Sequence, residues 1–244
     1  MKHKRNAFLF IFFSLIASAL AGFTIYENAE DGFISYTVDP EKQDIQLYWK
    51  DDCGTILKSI KNLKTFVESK HATLVFAMNG GMYKQDNSPL GLYIENKKTL
   101  AHLNTKTGNG NFYLKPNGIF YLTSNKIAAV CKTEDFTDAS NITFATQSGP
   151  MLVIDGLIHS SFIEGSTNLN FRNGVGILPN GKILFAMSTK EMNFYDFAAY
   201  FQKQGCKNAL YLDGFVSRTY LPEKHWVQTD GNFGVMIGVI EKNK

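Results

Sequence analysis

Short apolar and β-branched runs, broken by turn-forming residues, dominate the hydrophobic pattern of this chain and predict a protein built mainly from strands. Residues 33–38 and 44–49 are two such runs, and the turn between them contains Pro40. This spacing predicts a hairpin of two paired strands. Residues 73–78 form a short, continuously apolar run of the kind that becomes a buried strand.

The middle of the chain repeats this pattern with shorter runs. Strand-like runs lie at residues 91–95, 111–114, 118–122 and 126–131. The tripeptide Pro116-Asn117-Gly118 predicts a turn between the second and the third of them. Strands this short, joined by connections this tight, favour antiparallel pairing.

Two segments have the pattern of an amphipathic helix. In residues 55–69 the apolar side chains recur at steps of three and four. A second helix is predicted between Asn193, a suitable N-cap, and Gly205, which stands where a helix ends, and a strand follows at residues 209–212. Many strands with few helices favour an α+β fold, a single domain around a large mixed, mainly antiparallel sheet with a few flanking helices.

The first 21 residues have a different pattern, that of an export signal. A basic start and an apolar run at residues 7–16 precede the small-x-small motif Ala19-Leu20-Ala21. We therefore predict a signal peptide at residues 1–21, one domain at residues 22–244, and a periplasmic or secreted location. The alternative is an uncleaved anchor, but the apolar run is shorter than the roughly 20 residues that span a bilayer.

Charge and cysteine content narrow the class of protein. Three of the 25 basic residues lie in the leader, which leaves 22 basic residues to balance 22 acidic ones. A neutral surface without Lys/Arg clusters predicts that the protein does not bind nucleic acid. No apolar stretch after the leader is long enough to span a membrane, so we expect no stable membrane insertion. Cys53, Cys131 and Cys206 form an odd set in a compartment that favours disulfides. One disulfide and one free thiol are therefore possible, and the spacing of the cysteines does not show which two would pair.

Candidate chemistry lies in three segments that each follow a strand-like run, where a sheet delivers polar groups to a cleft. Each segment alone is also typical of an ordinary turn. A carboxylate at a strand end, such as that of Asp213, can serve as acid, base or metal ligand. The polar and glycine residues of the three segments are Asn79, Gly80 and Gly81; Gln147, Ser148 and Gly149; and Asp213, Gly214, Ser217 and Arg218.

Together with longer stretches in the same order, these segments resemble the phosphodiester glycosidase family, and more closely its bacterial, periplasmic branch. The resemblance covers roughly the chain from Asn79 to the C-terminus. The stretches are NGGMY at Asn79, SPLGLYIENKK from Ser88, GNFYLKPNGIFYL from Gly110, FATQSGPMLVIDG from Phe144, RNGVGILPNGKILFAMS from Arg172 and FYDFAAYFQKQGCKNALYLDG from Phe194.

The resemblance implies an exported hydrolase that cleaves a sugar phosphodiester, since the family's animal member, the uncovering enzyme, removes N-acetylglucosamine from such a bond. It implies that Asp213, Arg172 and Asn79 are catalytic. Asp213 would activate water or stabilise an oxocarbenium-like centre, while Arg172 or Arg218 would neutralise the phosphodiester. The substrate-binding residues would be Gly80, Gly81, Gln147, Ser148, Gly149, Asn173, Gly214, Ser217 and Arg218.

Where the wider family has Asp-Gly-Gly-Gly-Ser, this chain has Phe215 and Val216 in place of two glycines, which predicts a narrower and more apolar cleft. A glycosidase normally needs a second carboxylate. The sequence offers Asp86, Glu164 and Asp196 for this role without ranking them. No cofactor is certain, and a divalent cation remains an option. The rival interpretation is a non-catalytic envelope protein that binds glycan in the same cleft.

Overall fold

The computed structural model describes residues 32–137, 139–213 and 216–243. The predicted signal peptide, Gly214 and Phe215 lie outside the described residues, so the cleft expected to be narrowed at Phe215 stays a prediction. Phe33–Lys244 form one compact unit. Within the described ranges, no helix has the length and apolar character needed to cross a membrane.

Sixteen strands and two α-helices make up the described chain. The helices are α1 (Ile60–Ser69) and α2 (Phe194–Lys203). The strands are β1 Phe33–Val38, β2 Asp44–Tyr48, β3 Ala72–Asn79, β4 Tyr93–Glu95, β5 Lys98–Ala101, β6 Gly118–Thr123, β7 Ala128–Lys132, β8 Ile142–Ser148, β9 Met151–Ile154, β10 Leu157–Ile158, β11 Asn173–Ile177, β12 Ile183–Ser188, β13 Ala209–Tyr211, β14 Thr219–Leu221, β15 Trp226–Val227 and β16 Met236–Lys242.

The strands form three sheets, with the orders β1-β12-β11-β13-β9-β10, β15-β14-β3-β16-β2 and β5-β4-β8-β6-β7. Every strand pair in the described chain is antiparallel. The predicted α+β class with few helices is confirmed. The expected large sheet is divided in three, and its pairing is antiparallel rather than mixed.

One hydrophobic core holds the three sheets together. Phe185 of β12, Phe76 of β3 and Phe120 of β6 come from different sheets, and each is at most 1% exposed. The ring centroids of Phe76 and Phe185 are 5.3 Å apart, and those of Phe120 and Phe185 are 5.8 Å apart. Burying one such side chain contributes about 1.5–3 kcal/mol. The shared core therefore fixes the sheets relative to one another, and with them the strand ends that carry polar groups.

The predicted hairpin of the first two strands is wrong. β1 pairs with β12, whereas β2 pairs with β16, so the turn between them carries the chain from one sheet to another. Ile34 of β1 and Leu47 of β2 nevertheless enter the same core. The predicted strand at residues 111–114 is also wrong, because Asn111–Tyr113 form a 3₁₀ turn that buries Phe112.

The two helices pack on different sheets, α1 against β3 and α2 against β9 and β10. α1 starts later than predicted, at the Ser59 cap, and buries Ile60, Leu63 and Val67. The predicted Asn193 cap of α2 is confirmed, since its side chain accepts a hydrogen bond from the Asp196 N–H at 2.9 Å. The cap lies directly after Met192, whose carbonyl contacts the candidate site described below.

The disulfide left open by the cysteine count is not formed, because all three thiols are free. Cys53 is exposed, Cys131 is half-buried and Cys206 is buried. Burial raises the pKa of Cys206 to about 12 and that of Cys131 to about 11. The thiols of Cys131 and Cys206 are therefore protonated at neutral pH and pack as small apolar groups.

Candidate active site

Three polar residues from distant parts of the chain meet where their strands begin or end. Asn79 is the last residue of β3, Asn173 is the first of β11, and Asp213 follows β13. The Asn173 Nδ2 atom donates to the backbone oxygen of Asn79 at 2.8 Å and to its Oδ1 at 3.0 Å. The Asp213 N–H donates to Asn173 Oδ1 at 2.8 Å, and Asn79 Nδ2 donates to Asp213 Oδ2 at 3.3 Å. These contacts tie two sheets together at one carboxylate.

The two amides of this network are rigid parts of the fold. Asn79 and Asn173 are 0% exposed, whereas Asp213 is only partly buried. Asn79 Oδ1 accepts a second hydrogen bond, from the Arg218 N–H at 2.9 Å. Buried amides with several partners hold one orientation. Asn79 and Asn173 therefore position Asp213 and Arg218, while Asp213 itself stays partly exposed to solvent.

The backbone around Asp213 is held from both sides. The Ser148 hydroxyl donates to the Leu212 carbonyl, and the Ser217 hydroxyl donates to the Asp213 carbonyl at 2.9 Å. Ser148 and Ser217 are 0% and 2% exposed. Ser148 and Ser217, which were predicted to contact substrate, thus hydrogen-bond in this structure to the main chain on either side of the Asp213 side chain.

Two tyrosines that the sequence analysis did not select lie in the electrostatic field of Asp213. Burial, and then the charge of Asp213, raise the pKa of Tyr83 to about 12. Burial also raises the pKa of Tyr211, Arg172 lowers it, and Asp213 raises it further. Both phenols therefore remain hydrogen-bond donors at neutral pH. The signal for Tyr83 was present in the sequence, since it closes the Asn79-Gly80-Gly81 segment.

Arg172 is fully buried, at 0% exposure, beside this network. Its Nε donates to the Met192 carbonyl at 2.7 Å, and its Nη2 donates to the Asn168 carbonyl at 2.8 Å. The guanidinium carbon lies 3.6 Å from the ring centroid of Phe194. Nη1 is also enclosed, and it makes no hydrogen bond.

The charge of Arg172 has no matching acid among the described residues. In the described ranges it forms no ion pair, and its partners are carbonyl groups, aromatic rings and the hydroxyl of Tyr211. Burial lowers the pKa of Arg172, and the nearby Tyr211 raises it. A buried cation without a counter-charge is costly unless something else stabilises it. The arrangement can therefore accept an anion at little further desolvation cost to the arginine.

The Gly-Gly pair serves packing. The Gly80 N–H donates to the Val235 carbonyl at 2.9 Å, so this amide is already used. A Cβ on Gly80 would lie 2.4 Å from Ile237 Cγ1, and one on Gly81 would lie 2.3 Å from Thr146 Oγ1. Glycine at both positions lets β3 leave its sheet close to neighbouring strands.

Gln147 and Gly149 are not brought into the network. The Gln147 Oε1 atom accepts from the N–H groups of Leu92 and Asn104, and its Nε2 donates to the Asn104 carbonyl and to Thr133 Oγ1. This side chain has no remaining hydrogen-bonding capacity for a substrate. A Cβ on Gly149 would lie 2.5 Å from that of Asn117, so this glycine too is required for packing.

The three acids considered as a second carboxylate lie outside the network. The Asp86 carboxylate accepts from Ser88 of its own loop at 3.0 and 2.6 Å, and Asp196 accepts from Asn193 at 2.9 Å. Glu164 is exposed in the loop before β11. Another acid, Asp230, accepts from Arg218 Nε at 2.8 and 3.0 Å. These hydrogen bonds hold the pKa of Asp230 below its usual value.

Metal ligands are not clustered in the part of the chain that the structure describes. No group of three or more His, Cys, Asp or Glu residues there could hold an ion. The option of a divalent cation at Asp213 thus receives no further ligand from these residues.

Comparison with known proteins gives matches along most of the chain. A family model for phosphodiester glycosidases matches residues 72–239. The uncharacterized protein YigE of Escherichia coli is 38% identical over 188 residues, which cover 77% of this chain and 73% of that protein.

Two solved structures share the fold. One is the catalytic domain of zebrafish N-acetylglucosamine-1-phosphodiester alpha-N-acetylglucosaminidase, auto-inhibited by its pro-peptide, with a TM-score of 0.54 and 15% identity over 86% of this chain and 88% of that chain. The other is a Burkholderia pseudomallei protein described as a candidate exported protein, with a TM-score of 0.56 and 11% identity over 85% of this chain and 73% of that chain. At these identities the likeness shows the fold alone.

Proposed function

This chain belongs to the phosphodiester glycosidase family, and from that premise we propose that it is an exported hydrolase of a glycosyl-1-phosphodiester bond in an envelope glycan or a related metabolite. The observation that carries the proposal is a partly exposed carboxylate close to a buried cation that lacks an acid. The charges of Asp213 and Arg172 both act on the phenol of Tyr211, and they shift its pKa in opposite directions. Cleavage of a sugar phosphodiester needs a carboxylate near the anomeric carbon and a cation near the phosphate.

The reaction requires charge stabilisation more than acid assistance. When the bond between the anomeric carbon and the phosphate oxygen breaks, the electron pair leaves with a phosphate monoester, a far better leaving group than a sugar alkoxide. In our proposal Asp213 takes a proton from the attacking water or stabilises the oxocarbenium-like centre. Arg172 stabilises the developing charge on the phosphate through its unused N–H groups.

Because Arg172 Nη1 is enclosed, the phosphate can reach it only if a neighbouring side chain moves. Asn168 is exposed and belongs to the loop before β11, and its side-chain Oδ1 accepts a hydrogen bond from Arg172 Nη2 at 3.2 Å. We propose that substrate displaces this contact and replaces it with a phosphate oxygen, which would cost little because one acceptor is exchanged for another.

We expect the protein that starts at Gly22 to release free sugar from at least one member of a panel of glycosyl phosphodiesters that includes an N-acetylglucosamine-1-phosphodiester. Sugar release is measured with and without divalent cations. The matched control is Asp155→Asn, which removes an exposed acid beside the start of β13, away from the end that carries Asp213. Binding without release from any substrate would instead support a glycan-binding protein.

Export is a separate proposal, supported by the basic leader, its apolar run and Ala19-Leu20-Ala21. The protein isolated from the cell envelope should begin at Gly22 when its N-terminus is sequenced. A full-length chain recovered from the cytoplasm would contradict this proposal without affecting the enzymatic one.

A further inference from the structure

The second arginine of the site, Arg218, is held at both its backbone and its side chain. Its N–H donates to Asn79 Oδ1 at 2.9 Å, which anchors it to the network that positions Asp213. Its Nη1 donates to the Ser217 carbonyl at 3.0 Å, and its Nε donates to both carboxylate oxygens of Asp230 at 2.8 and 3.0 Å. In the described part of the chain, Nη2 makes no hydrogen bond to protein, and about a third of the side chain is exposed.

The loop that carries Asp230 is itself fixed on both sides. The Thr229 carbonyl accepts from the Lys61 N–H at 2.7 Å, and the Phe233 N–H donates to the Lys58 carbonyl at 2.6 Å. Gln228 pairs with Thr219, next to Arg218, through its backbone and its side chain. An isolated ion pair on the surface has no such support, and its side chains move freely. The anchored loop instead sets Asp230 at one place relative to the guanidinium.

From this geometry we propose that Asp230 is a positioning residue, which holds Arg218 by Nε so that the Nη2 end of the guanidinium is presented to a phosphate oxygen of the substrate. The inference rests on the proposed function of the site. Because the guanidinium is planar, fixing Nε fixes the direction of the remaining N–H groups. Asp230 itself does not contact the substrate. Its negative charge also offsets that of Arg218. The pair therefore suits a phosphodiester, which carries one negative charge, better than a phosphate monoester, which carries two.

Two arginines would then have different tasks. Arg172 is buried and acts on the phosphate both in the bound substrate and as the bond breaks, whereas Arg218 is partly exposed and binds only the phosphate already present in the substrate. Interactions that are equal in the ground state and the transition state change KM and leave kcat unaltered. Asp230 and Arg218 are therefore expected to govern KM.

The test compares Asp230→Asn, Arg218→Gln and the double variant, with Asp155→Asn as control for loss of an exposed acid from an ion pair. We expect Asp230→Asn to raise KM for the cleaved phosphodiester about fivefold to tenfold, with kcat within about twofold of the parent and an unchanged melting temperature. The effect should be absent in the Arg218→Gln background, because residues that act as one unit are not additive. Asp230→Glu should restore part of the loss.

A second measurement separates this inference from the proposed function. Calorimetric binding of the N-acetylglucosamine-1-phosphodiester is measured for the same variants in the background of Asp213→Asn, where cleavage is slow. If the protein binds this probe but never cleaves it, the reaction is wrong, and weaker binding by Asp230→Asn still supports the positioning role. Equal affinities of parent and Asp230→Asn, or an equal loss in the Arg218→Gln background, would overturn the inference. So would a failure of the parent to bind any phosphodiester.

Discussion

Asp213→Asn is expected to lower kcat on the order of 10³-fold while it changes the dissociation constant of the substrate only a few-fold. The amide is nearly isosteric with the carboxylate, and its oxygen can still accept the hydrogen bond from Asn79 Nδ2. The hydrogen bond from the Asp213 N–H to Asn173 Oδ1 involves only the main chain and is retained. What disappears is the negative charge, which matters most when positive charge develops on the sugar.

Single-turnover kinetics and equilibrium binding on the same phosphodiester separate these two effects. The melting temperature should stay close to that of the parent, since the backbone of Asp213 is held by Ser217 and Asn173 whatever the side chain. Asp155→Asn should leave all three quantities unchanged. Activity of Asp213→Asn equal to that of the parent would refute the catalytic assignment and leave the family membership intact.

Arg172→Met is expected to lower kcat/KM by roughly 10²- to 10³-fold, through a lower kcat and a higher KM, because both the phosphate of the substrate and the charge of the transition state lose a cation. Methionine roughly retains the buried volume but none of the donors. Arg172→Lys keeps the charge but loses both the fork of donors and the planar contact with Phe194. It should therefore recover only a small part of the loss.

Stability measurements distinguish this role from a purely structural one. Removing the guanidinium takes one donor from the buried Met192 carbonyl, which keeps its hydrogen bond from the Asn170 N–H at 3.2 Å, and leaves the carbonyl of the exposed Asn168 to water. The lost hydrogen bonds cost on the order of 1 kcal/mol each. Removing a buried charge that has no acid partner acts in the opposite direction. We expect these effects to offset one another in part, so that Arg172→Met folds and unfolds cooperatively. Full activity in this variant would contradict the proposed use of Arg172.

Local sequence signals predicted the secondary structure well where the cause is local. The cap of α2 follows from the short side chain of Asn193, which bonds the N–H three residues ahead, and Gly205 ends the helix because its φ of 83° suits glycine. Continuous apolar runs also predicted β3 and β6, because each strand is buried along most of its length. The polar groups at strand ends were also visible in the sequence.

Contacts between distant segments could not be assigned from those signals. Nothing in the sequence of β1 indicates that it pairs with β12, and nothing in that of β2 indicates β16. Because β1 and β2 are neighbours in the chain, the sequence favoured a hairpin that the structure does not contain. The choice depends on which pairing buries the most apolar surface in a core shared by three sheets.

The same limit applies to the site. The motifs in the sequence selected Asn79, Asn173 and Asp213, but a motif does not say whether a polar residue faces substrate or holds another residue in place. Gln147 has four hydrogen-bond contacts within the protein, and Asp230 gains its significance only from the position of Arg218. The motifs and their order along the chain carried the resemblance to the family, and local hydrophobic patterns predicted most of the elements. Tertiary structure decided which polar groups meet, because hydrogen bonds between side chains form only after hydrophobic burial has brought their strands together.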